Sequence, residues 1–185
     1  MRTFIAIDLD EEIKKNISEL LRKLDRGSKN IKWVKPQGMH LTLKFLGEVT
    51  KERIGEVETV LKNIAKEYRP FPLDLMGTGI FPPGSQSPRI LWLGVRQSDT
   101  LIEIQSSLEN KLEKLHFPKE KRTYHPHLTL GRVKIPHHLE SILSILDQHR
   151  ENEFGHMTVS RLTLFLSTLK PTGAEYTKLS EFPLG

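Results

Sequence analysis

Two histidines, His40 and His127, each open the string His-Leu-Thr-Leu, and the copies stand 87 positions apart in a chain of 185 residues. With 8 histidines and 13 threonines in the chain, composition alone supplies roughly half a His-x-Thr match. One copy would therefore carry little, but two copies that also agree at both leucines, one in each half, carry far more. Imidazole titrates near neutral pH and acts as a general base when neutral or a general acid when protonated. A threonine hydroxyl donates a hydrogen bond to an anionic oxygen. Two such pairs can cleave a phosphodiester. One histidine takes a proton from the nucleophile, the other gives one to the leaving oxygen, and Thr42 and Thr129 hold phosphate oxygens where charge develops. One imidazole must be neutral and the other protonated, which predicts a bell-shaped pH profile. No metal and no other cofactor is required. The plainer reading, two amphipathic strands with surface histidines, is weakened by the duplication.

The elements that must position these groups follow from hydrophobic period. Each motif reads as a strand, and side chains at i and i+2 share a face. His40, Thr42 and Lys44 therefore lie on one face, and Leu41, Leu43 and Phe45 on the other. His127 and Thr129 oppose Leu128 and Leu130 in the same way. The leucine faces pack under helices, so the His/Thr faces look into a polar cleft. Lys44 is a possible substrate contact by parity. Arg132 is a second one, although strict alternation places it opposite His127 unless Gly131 marks a bulge. Phe4, Phe45 and Trp92 read as core side chains, with stacking on a base as the alternative for Trp92. Arg89 and Lys35 read as surface contacts to a phosphate backbone. His125 and His127 have the spacing of a metal pair, but no third ligand is near in sequence. Tyr124 and His125 flank the mouth of the cleft.

A helix is expected over residues 11–24, where Ile13, Ile17, Leu20, Leu21 and Leu24 recur at helical spacing after Asp10. Gly27, Ser28 and Asn30 mark a turn. Further helices follow Thr50 and Ser98, and a fourth runs from Pro136 to about Gln148. Strands are expected at 2–9, 32–34, 40–46, 73–80, 89–95 and 127–133, with two or three more after residue 155. The order reads as a doubled unit, with each half laying two helices on a mainly antiparallel sheet. The fold class is α+β: two lobes related by a pseudo-two-fold, each a sheet with two helices on its outer face, and the cleft between them. No linker separates independent domains, so residues 1–185 read as one domain of two intertwined lobes.

Hydrophobic residues make up 37% and charged residues 28% of the chain, as in soluble globular proteins. Cysteine is absent, which rules out disulfides, thiolate nucleophiles and cysteine zinc sites and fits a cytoplasmic protein. No signal-peptide pattern opens the chain, and no apolar stretch reaches membrane-spanning length, so no membrane partner is expected. A formal net charge of +5 suits a phosphate-bearing partner such as a nucleic acid.

The same residues resemble a known family. The opening Arg2-Thr3-Phe4-Ile5-Ala6-Ile7, Trp33-Val34-Lys35-Pro36, the run from His40 to Gly47, Phe81-Pro82, Leu91 to Val95, and Pro126 to Arg132 are similar to the two-histidine (2H) phosphoesterases. Within that superfamily they resemble most the RNA 2′,3′-cyclic phosphodiesterases, historically called 2′-5′ RNA ligases. The resemblance implies hydrolysis of a terminal 2′,3′-cyclic phosphate on RNA to a 2′-phosphate. It implies His40 as proton donor to the 3′ leaving oxygen, His127 as proton acceptor from water, and Thr42 and Thr129 as phosphate-binding groups. The implied partner is RNA with a cyclic-phosphate end, such as tRNA fragments, and the expected state is a monomer. Two alternatives stand beside it: a reversible 2′-5′ RNA ligase, and a non-catalytic module that binds RNA ends.

Overall fold

Every strand of the protein joins one of two antiparallel sheets in the computed structural model, which describes all residues except Ser28 and Thr172. The chain runs β1 (Arg2–Asp8), α1 (Glu11–Leu24), β2 (Ile31–Trp33), β3 (His40–Glu48), α2 (Lys51–Glu67), β4 (Phe71–Phe81) and β5 (Ile90–Val95). It continues through α3 (Asp99–Glu113), β6 (His127–Val133), α4 (Glu140–Gln148), β7 (Glu153–Val159), β8 (Arg161–Lys170) and β9 (Gly173–Pro183). The first sheet has the order β3-β1-β8-β9 and the second β2-β6-β5-β4-β7. The expected turn at Gly27, Ser28 and Asn30 rests in part on Ser28, which lies outside the described residues.

The helices form where apolar spacing and breakers dictate. α1 buries Ile13, Ile17, Leu20, Leu21 and Leu24, the five residues at helical spacing. α3 is capped by Ser98, whose hydroxyl accepts from the Leu101 amide at 3.3 Å, a side-chain N-cap. α4 starts at Glu140 rather than Pro136. The residues before it bend, with His138 at φ 56° and Leu139 in right-handed helical backbone, a turn that helical period alone does not reveal.

Two helices cover each sheet, but the halves of the chain do not supply them as a simple duplication would. α2 and α3 pack on the sheet of β3, β8 and β9, whereas α1 and α4 pack on the sheet of β4 and β7. Asn16 of α1 donates to the Phe154 carbonyl at 2.9 Å, and Ile13 lies against Gly155. The first half also sends β2 and β4 into the second sheet, and the chain returns β8 and β9 to the first. The lobes are therefore built by exchange. Leu41, Leu43, Leu128 and Leu130 all enter one continuous apolar core beneath the helices. Their burial supplies roughly 2 kcal/mol each of the driving force that fixes which face of each motif strand turns outward.

Candidate active site

Both motif strands break alternation at the same place. In the β1–β3 ladder, Ala6 faces Thr42 but Ile5 faces Lys44, so Leu43 is an extra residue. In the β5–β6 ladder, Trp92 faces Thr129 but Leu91 faces Gly131, so Leu130 is extra. Each is a β-bulge one residue past the threonine, and it flips the parity of the residues that follow it, up to a second shift at Leu46 in β3.

The bulges correct several sequence expectations. Lys44 does not share the His40 face. It is 5% exposed, and its ammonium sits 2.5 Å from Glu109 of α3 and 3.0 Å from the Pro118 carbonyl. As a possible substrate contact it is overturned, because the bulge sends it to the helix side. Phe45 is not a core residue: it takes the place parity had given to Lys44, on the His40 and Thr42 face, and is 69% exposed. Arg132 is brought round to the face of His127 and Thr129, and it is exposed. Trp92 is half-buried on that same face. Its indole lies flat over Gly79 and Gly94, where a Cβ would stand 2.2 and 3.2 Å from the ring. Phe4 is buried, but in a small separate cluster with Ala6 and Phe165. Ladder pairing puts that cluster on the His40 side of the sheet.

The two imidazoles are held alike. The Nδ1 of His40 is 2.8 Å from the Gly38 carbonyl, and the Nδ1 of His127 is 2.7 Å from the His125 carbonyl. A carbonyl only accepts, so each Nδ1 carries the proton and each Nε2 is left for chemistry. Behind His40 stand the rings of Phe4 at 4.5 Å, Tyr176 at 4.9 Å and Phe165 at 5.6 Å. Behind His127 stands Phe81 at 5.3 Å, itself against Trp92 at 5.6 Å. Between the strands, the Tyr124 hydroxyl donates to the Thr42 carbonyl at 2.9 Å, tying the segment that leads into β6 onto β3. Burial of that phenol pushes its ionisation well above the ordinary range.

The electrostatics of the two sides differ. Burial among aromatic rings pushes His40 down to about 4, although the Gly38 hydrogen bond and the nearby Asp8 carboxylate act the other way. Lys14 adds to the depression. Asp8 lies opposite His40 in the ladder. Burial would raise the Asp8 carboxyl, but Lys178 at 2.8 Å and Lys14 at 3.1 Å hold it below its usual range. On the second sheet, Lys32 pairs with Arg132 across β2 and β6 and so shares its face. Neither has an ion-pair partner among the described residues. Free-standing cations on the face that carries the Thr129 hydroxyl make that side ready for an anion.

Tyr176, Asp8 and Lys32 were not singled out by sequence reasoning. Tyr176 and Asp8 reach His40 only through strand pairing, which no local pattern announces. Lys32 lies in a three-residue strand whose partner is about a hundred residues away. Arg89 and Lys35 are exposed as expected. His125 and His127 gather no third ligand: among the described residues no group of three or more His, Cys, Asp or Glu side chains could hold a metal ion. Among the described residues no helix is long and apolar enough to cross a membrane.

Comparison with known proteins bears on this arrangement. The sequence model of a family described as the 2′-5′ RNA ligase superfamily matches residues 9–169. The RNA 2′,3′-cyclic phosphodiesterase of Methanothermobacter thermautotrophicus is 35% identical over 184 residues, covering 100% of this chain and 99% of that protein. The protein of the same name from Thermotoga maritima is 38% identical over 182 residues, covering 98% and 94%. A crystal structure from Thermus thermophilus superposes with a TM-score of 0.84 at 30% identity, covering 100% of this chain and 98% of that one. Escherichia coli LigT complexed with 3′-AMP superposes with a TM-score of 0.79 at 28% identity, covering 99% and 97%.

Proposed function

The chain belongs to the 2′-5′ RNA ligase superfamily, and from that premise we propose that it is a hydrolase opening 2′,3′-cyclic phosphates at RNA ends to 2′-phosphates. The observation that carries the reading is the matched pair of Nδ1–carbonyl hydrogen bonds. They leave both Nε2 atoms free on the two faces that carry Thr42 and Thr129.

In this mechanism water attacks phosphorus while the bond from phosphorus to the 3′ oxygen breaks. His127 Nε2 takes the water proton as general base, and His40 Nε2 gives a proton to the departing 3′ oxygen as general acid. Both histidines return to their starting states by proton exchange with solvent. The Thr42 and Thr129 hydroxyls donate to the non-bridging oxygens, with Arg132 adding charge beside Thr129. No metal enters these steps. Burial leaves His40 neutral at pH 7 in the free protein. The bound phosphodiester anion opposes that burial by lying beside the ring, since an adjacent negative charge favours the protonated form. The substrate thereby helps load the acid that will cleave it.

The partner is RNA ending in a cyclic phosphate, cleaved tRNA among the candidates, and the +5 net charge supports a polyanionic substrate. We assign it to the cytoplasm as a monomer, to be checked by fractionation and sedimentation. Ligation would use the same site with an RNA 5′-hydroxyl replacing water as nucleophile. Incubation with 2′,3′-cyclic nucleotides, cyclic-phosphate RNA and paired tRNA halves in EDTA, followed by product analysis, tests the assignment. A 2′-phosphate product is expected, and His40→Ala and His127→Ala should each lose at least about a hundredfold. Full activity in either variant, or a 3′-phosphate product, would overturn it. Binding of cyclic-phosphate RNA without turnover at any pH would leave an RNA-end-binding module instead.

A further inference from the structure

The rings behind the two motif histidines follow one plan with one change. In each sheet, the strand beside the motif strand and the strand after it both carry a ring on the histidine's face. These are Phe4 of β1 and Phe165 of β8 for His40, and Trp92 of β5 and Phe81 of β4 for His127. In the first sheet both rings reach the imidazole, Phe4 at 4.5 Å and Phe165 at 5.6 Å. In the second sheet only the outer ring does. The Trp92 indole lies over Gly79 of β4, where an added Cβ would stand 2.2 Å from it. Phe81 rests against that indole at 5.6 Å and meets His127 at 5.3 Å, with 72° between the ring planes. The buried indole Nε1 has no hydrogen-bond partner among the described residues. An unpaired buried donor carries a desolvation cost, so packing alone keeps the indole where it lies.

His127 has little else to fix it. The bond between its Nδ1 and the His125 carbonyl, 2.7 Å long, holds one point of the ring. The imidazole can still swing about that point and carry Nε2 off the line of attack unless a wall stops it. A displacement of about 1 Å is enough to lose a hundredfold in rate. Among the described residues Phe81 is the one ring against His127, whereas His40 has three. We propose that Phe81 is a positioning residue for His127: bedded on Trp92 over Gly79, its ring fixes the rotation of the imidazole so that Nε2 meets the attacking water. Gly79 belongs to the device, because a side chain there would lift the indole and the Phe81 ring that rests on it. This inference rests on the hydrolase reading and adds to it the support of the base.

The test compares wild type, Phe81→Ala, Phe81→Tyr and Gly79→Ala on adenosine 2′,3′-cyclic phosphate, and records the histidine 15N–1H spectrum of each protein. Phe81→Ala should lower kcat by about tenfold or more and leave KM within about twofold of wild type. Its His127 ring should change from the Nδ1–H tautomer to a mixture of both, while the His40 signals stay in place. Phe81→Tyr keeps the ring and should restore both kcat and the tautomer. Gly79→Ala keeps Phe81 but moves its bed, and should repeat the alanine result. A thermal melt verifies that each variant is folded, and Phe81→Ala alone decides the matter if Gly79→Ala is not. An unchanged kcat, a loss confined to KM, or an unchanged His127 tautomer in Phe81→Ala would overturn the positioning role. A wild-type protein inert on the cyclic nucleotide and on cyclic-phosphate RNA would overturn the hydrolase reading. The tautomer comparison reads the placement of His127 without turnover, so the two failures are distinct.

Discussion

The Lys44 ammonium lies 2.5 Å from a Glu109 carboxylate oxygen, joining β3 to α3 behind the motif strand. Glu109 also receives Gln105 and the amide of Glu120, so the pair anchors the loop after α3 as well. Breaking a buried ion pair from one side strands the other charge. Lys44→Ala should therefore cost about 3 kcal/mol of stability, read as a lower denaturation midpoint, while kcat/KM at a permissive temperature stays near wild type. A selective loss of activity with an unchanged midpoint would return Lys44 to the site.

Arg132 should behave in the opposite way. It is exposed, unpaired among the described residues, and on the His127 face. Arg132→Ala should leave the melting temperature within a few degrees of wild type and reduce kcat/KM on cyclic-phosphate RNA by roughly tenfold or more. The slope of log kcat/KM against log salt should fall by about 1. An unchanged salt slope would remove Arg132 from the phosphate set.

The depressed His40 has a consequence for stability. Its ring titrates near 6.5 when unfolded and at about 4 in the folded protein. Between those values the unfolded chain binds a proton that the folded one does not, so acid favours unfolding. The stabilisation is fully present above pH 6.5 and is lost progressively as pH falls to 4. Asp8, held below its usual range, acts lower still. Chemical denaturation across pH 4 to 6.5 should show stability rising with pH, and His40→Asn should flatten that rise. An equal slope in the variant would contradict the burial of the ring.

Tyr176 stands edge-on to His40 at 4.9 Å and against Gly38, whose carbonyl orients the imidazole. Tyr176→Ala should let water reach the ring and move its titration upward from about 4, observable by histidine NMR. Tyr176→Phe keeps the aromatic edge and should leave the titration in place. A shift in the phenylalanine variant would mean that the hydroxyl, not the ring, matters.

Much of this was legible in the sequence, and each failure has a physical source. The apolar spacing of α1 placed the helix at Glu11–Leu24 as observed, and the repeated motif marked the starts of β3 and β6. Periodicity reports which face a side chain takes only while the strand stays regular. The bulges at Leu43 and Leu130 leave no mark in residue type, so Lys44 and Phe45 were read onto each other's faces. Arg132 was ambiguous for the same reason, and a bulge beside Gly131 resolves it. The exchange of helices between lobes was hidden too, because hydrophobic period says that a helix has a buried face but not which sheet it meets. Tyr176 was missed because its partner His40 is brought to it across the two intervening strands β1 and β8.

The route of the chain between lobes also sets a timetable for assembly. β1 is made first, yet one of its two ladder neighbours is β8, with Thr3 opposite Leu166. During synthesis the first sheet must wait with an open edge until nearly the whole polypeptide has left the ribosome. Contacts this distant in sequence form late and slowly. Until β8 and β9 arrive, His40 lacks Phe165 and Tyr176 and remains an ordinary hydrated imidazole. The nascent chain therefore gains the buried, aromatic-walled His40 ring only at the last step of folding, and a stalled or clipped polypeptide would lack it.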